Sequence, residues 1–141
     1  MSAVRRQIAA AGAAVAMLLG GCAQNAAMEA TAQERADREL AAALEGRVRG
    51  EPVDCVSASG LEAPRIIDRD TLLYRPVGDT VWRNELPVGC TPLRGGSPTL
   101  IVELHGSQLC RNDSFRVLEQ GASIPSASCR LGQFIPYRRP D

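Results

Sequence analysis

Apolar residues change their spacing twice along the chain. From Ile8 to Leu19 they run almost unbroken for about 12 residues, a length that suits a signal-peptide h-region and falls short of a bilayer span. From Thr31 to Glu45 they recur at helical intervals, with Ala36, Leu40, Ala43 and Leu44 on one narrow stripe. Thr31-Ala32-Gln33-Glu34 reads as a capping box opening this helix, because the Thr hydroxyl and the Glu carboxylate can each satisfy an amide of the first turn. Glu34 with Arg38 and Arg35 with Glu39 read as i,i+4 ion pairs, and Gly46 as the stop. From Val53 onward the pattern becomes short β-forming runs separated by Gly, Pro, Asn, Asp and Ser.

These runs predict strands at 53–57, 65–68, 71–75, 80–83, 99–104, 108–110, 114–118, 128–131 and 133–137. The clearest pair is a hairpin, Thr71 to Arg75 and Thr80 to Arg83, closed by Pro76-Val77-Gly78-Asp79. Its register is open: Trp82 lies opposite Leu73, or one slip places it beside Tyr74 and changes the face it presents. Residues 84–98 read as a long irregular loop and 47–51 as a polar linker. The expected fold is mainly β, a small disulfide-tied antiparallel barrel or curled sheet at 52–137. One helix at 31–46, a tether at 22–30 and a signal peptide at 1–21 precede it.

Met1 to Arg6 is a short basic start, and the apolar run ends in Leu19-Gly20-Gly21-Cys22. That ending resembles the lipobox of bacterial lipoproteins. The resemblance implies cleavage before Cys22 and a lipid on its thiol, hence a membrane partner through that lipid. Ala rather than Asp at position 23 implies the outer membrane, facing the periplasm.

Setting Cys22 aside leaves Cys55, Cys90, Cys110 and Cys129. An even number in a small exported domain reads as two disulfides, each worth roughly 2–4 kcal/mol by limiting the unfolded chain. Three connectivities are open. A closed sheet joining first and last strands favours Cys55–Cys129, and a hairpin turning at His105-Gly106 favours Cys90–Cys110. No cysteines are spaced C-x-x-C and His105 is the only histidine, so no metal site and no cofactor is expected.

Charge is balanced, with 16 basic residues, all Arg, against 16 acidic ones. Losing Arg5 and Arg6 with the signal peptide leaves 14 against 16, a net of −2, which offers no electrostatic case for nucleic acid.

The order ELAAALEGR, PVDC, TLLYR, VWRNELP, LCRND and SCRLGQFIPY resembles a family of small exported proteobacterial lipoproteins of unknown function. The resemblance covers about Leu40 to Tyr137. It implies an exported domain whose four cysteines, at 55, 90, 110 and 129 here, are paired. It implies no catalytic or ligand-binding residue.

Candidate chemistry is sparse. His105 shares a strand face with Glu103, but a general base also needs a nucleophile held close by. Asp68, Asp70 and Asp79 lie among arginines around the hairpin, in a spacing that fits a solvated strand edge better than a calcium loop. Arg111-Asn112-Asp113 fits a turn whose Asp caps backbone amides. Arg94-Gly95-Gly96-Ser97 neither follows a strand nor opens a helix, which argues against a phosphate cradle. No catalytic residue is expected and the chain reads as no enzyme. The leading reading is a lipid-anchored envelope module that binds an envelope protein or peptidoglycan. The alternative, by analogy of scale and scaffold, is a periplasmic inhibitor of a wall-degrading enzyme, similar to lysozyme inhibitors. A small hydrolase ranks third.

Overall fold

The computed structural model describes residues 24–75, 78–93 and 97–140. The expected signal peptide, the lipid-bearing Cys22, the Pro76-Val77 part of the hairpin turn and Arg94-Gly95-Gly96 lie outside the described residues. The chain divides into two units, Met1–Arg38 and Glu39–Asp141.

Helix α1 covers residues 24–44. Residues 24–30 are therefore helical where a tether was expected, and Thr31 lies inside the helix rather than at its cap. Its hydroxyl instead donates to the Ala27 carbonyl at 2.9 Å, the back-bond that a mid-helix threonine makes. The expected stripe is present: Ala36 is buried, and Leu40, Ala43 and Leu44 are half-buried. Glu34 pairs with Arg38 at 3.8 Å, whereas Glu39 turns from Arg35 to accept from Arg65 at 2.6 Å. Gly46 adopts φ +68°, the left-handed turn that ends a helix.

Among the described residues ten strands follow, in three antiparallel sheets. The first sheet has the order β1 (Val48–Arg49), β10 (Phe134–Arg138), β5 (Val81–Glu85), β4 (Thr71–Tyr74) and β3 (Arg65–Ile66). The second pairs β2 (Cys55–Ser57) with β7 (Gln108–Cys110). The third has the order β6 (Thr99–Val102), β8 (Ser114–Leu118) and β9 (Cys129–Arg130). A short 3-10 helix at Thr91–Leu93 interrupts the long loop.

The sheets do not close into a barrel. Val53 meets β10 in a single bridge to Phe134, with N–H···O bonds of 2.9 Å in both directions. Two residues later the same segment pairs with β7 instead. The first strand thus reaches the last one but leaves it at once. Nor do β6 and β7 form the expected hairpin. Only His105 and Gln108 bridge across the turn, because the Glu103 amide already bonds Ser114 as β6 pairs with β8.

The β4–β5 hairpin takes the second of the two registers: Tyr74 faces Trp82, and Leu72 faces Asn84. Leu72, Tyr74, Asn84 and Phe134 therefore share the inner face. All four residues of β4 are buried, because Leu73, Val81 and Ile135 are also covered on the opposite face. One core joins the three sheets, built from residues such as Leu72 and Phe134 of the first, Val56 and Leu109 of the second, and Phe115 and Val117 of the third. Trp82 only packs against its margin.

Tyr74 is an imperfect member of that core. Its ring lies 5.7 Å from that of Phe134, but its hydroxyl is buried with no hydrogen-bond partner among the described residues. Burial pushes its pKa up. The unfolded chain releases this proton above about pH 10 while the folded chain keeps it. Stability from this group is thus full below that pH and declines above it. Tyr74→Phe removes an unsatisfied group without altering shape. It should leave stability in urea unchanged or raised near neutral pH, and should reduce the loss between about pH 8 and 10.5. A cost above about 1 kcal/mol at neutral pH would show that the hydroxyl is satisfied after all.

Candidate functional site

The four domain cysteines form two disulfides, Cys55–Cys110 and Cys90–Cys129. The expected pairing, Cys55–Cys129 with Cys90–Cys110, is corrected. Its reason is the strand pairing just described. Cys55 and Cys110 lie directly opposite each other on β2 and β7. Cys90, whose amide bonds the Arg69 carbonyl at 2.7 Å, faces Cys129 on β9, an element held by β8. The first bridge has an exposed member in Cys55, whereas Cys90 is 1% exposed within the core.

The residues weighed for chemistry do not assemble. Glu103 pairs with Arg116 at 3.9 Å rather than with His105. The carboxylate nearest His105 is Asp113, at 3.8 Å, and the His105 side chain is 80% exposed on an open turn. Asp113 is committed to structure: its Oδ2 accepts the Cys110 amide at 2.7 Å, and Asn112 beside it takes φ +69°. This is the backbone-capping turn expected there. Asp68 accepts the amide of Asp70 at 2.7 Å, and Asp70 pairs with Arg69 at 3.3 Å, in the exposed turn between β3 and β4 rather than on a strand edge. Among the described residues no group of three or more His, Cys, Asp or Glu could hold a metal ion.

Two open grooves share Arg139, one at the end of the first sheet where β4 turns into β5 and one along β1 and β10. The larger, about 730 Å³, includes Arg47, Arg75 and Arg139 in its lining, together with Glu45 and Glu62. The smaller, about 310 Å³, includes Val48 and Pro136 with Arg49, Arg138 and, again, Arg139. Neither the grooves nor the strand β1 that lines the smaller one is legible in the sequence, where 47–51 reads as a linker. Arg138 is oriented by Thr80, whose Oγ1 accepts from its Nε at 3.3 Å. Arg47 donates to the carbonyl of Asp79. Both partners are neutral oxygens, which position a guanidinium without cancelling its charge.

No protein-family profile, no curated protein and no solved structure matches the chain.

Proposed function

We propose that this is an exported protein, anchored to the outer membrane by a lipid on Cys22, whose β domain binds an envelope protein or wall component without catalysing a reaction. The observation that carries the reading is that Cys55, Cys90, Cys110 and Cys129 are all consumed in two bridges. Such bridges persist in oxidising compartments and supplement a core too small to be secure alone. The charged start, h-region and Leu19-Gly20-Gly21-Cys22 box supply an address consistent with that compartment. The dispersal of His105, Glu103 and the hairpin carboxylates favours binding over catalysis.

Thiol trapping in the producing cells tests the compartment. Cells quenched in acid and alkylated in denaturant should leave all four domain cysteines unmodified until reductant is added. Alkylation of those four without reductant would place the protein in a reducing compartment and overturn the reading.

A further inference from the structure

Eleven arginines of the Glu39–Asp141 unit are described. Arg65, Arg69, Arg83, Arg111 and Arg116 each meet a carboxylate, at 2.6 to 3.9 Å. The other six are not paired with an acid among the described residues. Five of these six, Arg47, Arg49, Arg75, Arg138 and Arg139, line the two adjoining grooves. Only Arg130 lies elsewhere, donating to the Asn112 carbonyl at 2.8 Å. Among the described arginines of this unit, those that meet no carboxylate are thus gathered along the two grooves, Arg130 apart. Against these five stand Glu45 and Glu62, so the lining carries a net +3.

We infer that these grooves bind a phosphate-bearing ligand. Gathering like charges costs self-repulsion, which a multiply charged anion relieves. The planar guanidinium fork matches phosphate oxygens in pairs, and a phosphate group brings up to two charges to one place. Arg47 and Arg138 are held by neutral oxygens, so part of the ordering cost is met before a ligand arrives. Arg139 borders both grooves and is placed to join two phosphates on one molecule. The same chemistry is offered by phospholipid headgroups at a bilayer and by soluble phosphorylated compounds. The inference names a ligand class for the binding module proposed above but does not depend on the lipid at Cys22, and stands if that modification is absent.

The test uses the full-length Cys22→Ala chain, which carries no lipid. Pyrophosphate is titrated by calorimetry, and sedimentation compares vesicles containing phosphatidylglycerol with vesicles of phosphatidylcholine alone. Arg75 and Arg139 are exposed, so Arg75→Gln/Arg139→Gln should fold normally, which thermal unfolding checks. It should weaken pyrophosphate binding, or the preference for anionic vesicles, by about tenfold or more, while Arg130→Gln changes neither beyond about twofold. Glu45→Gln/Glu62→Gln should tighten binding, and added salt should weaken it. A preference for anionic vesicles that Arg75→Gln/Arg139→Gln abolishes assigns the bilayer as the source; pyrophosphate binding alone assigns a soluble ligand. Absence of both, or an equal loss in Arg130→Gln, overturns the inference.

Discussion

Replacing Gly132 by alanine is expected to destabilise the domain by roughly 3 kcal/mol or more, a large share of what a small domain possesses. A Cβ at this position would sit 1.8 Å from the Glu85 carbonyl oxygen, a backbone atom fixed at the end of β5. The approach is this close because the fully buried Asn84 side chain clamps the Gly132 peptide. Its Nδ2 donates to the Gly132 carbonyl, and its Oδ1 accepts the Gly132 amide, both at 2.9 Å. Asn84→Ala leaves two buried backbone groups without partners and opens a hole beside Phe134, at a combined cost of roughly 2–5 kcal/mol. Gly89→Ala is the control. Its Cβ would meet Asp70 Oδ1 at 2.4 Å, but that atom ends an exposed side chain that can swing aside. Urea unfolding with disulfides intact should show large losses for Gly132→Ala and Asn84→Ala and less than about 1 kcal/mol for Gly89→Ala. Equal effects at the two glycines would contradict the clamp.

The second large effect concerns the bridges. Their sequence separations are 55 and 39, and the loop-closure model gives about 4 kcal/mol for either. Loop length separates them by only about 0.3 kcal/mol, so local packing decides which matters more. Cys90 is 1% exposed and belongs to the core with Leu93 and Phe115, whereas Cys55 faces solvent. Cys90→Ala/Cys129→Ala should therefore cost about 1–2 kcal/mol more than Cys55→Ala/Cys110→Ala, although it opens the shorter loop. In partial reduction by a water-soluble phosphine, Cys55 and Cys110 should be the first pair to be alkylated. Reversal of both orders would mean that loop length outweighs burial.

The strands were legible and their partners were not. Val and Ile next to Leu, Phe and Tyr, punctuated by Gly, Pro and Asp, mark Thr71–Tyr74, Thr99–Val102 and Ser114–Leu118 closely. Which strand each one joins depends on contacts far apart in the chain. The expected Cys90–Cys110 bridge rests on a β6–β7 hairpin that β8 prevents by pairing with β6, and the expected barrel and Cys55–Cys129 bridge rest on first and last strands that meet only at the Val53–Phe134 bridge. Asn84 and Gly132 are 48 residues apart, and each alone looks like a loop residue. Strand β1 has two residues in a polar run and exists only because Pro136 and its neighbours offer an edge, with the Gly50 amide bonding the Pro136 carbonyl at 2.8 Å. The arginine surface was hidden for a related reason. Composition shows that charges balance, but only the fold shows which arginines find a carboxylate.

Labelling at Cys22 is the direct test of the proposed lipid anchor in the cell envelope. Cells expressing the full chain are grown with radiolabelled palmitate and fractionated. Label is expected on the wild-type protein in the outer-membrane fraction, and none on Cys22→Ala. Equal labelling of both proteins, or an unlabelled wild-type protein, would contradict it.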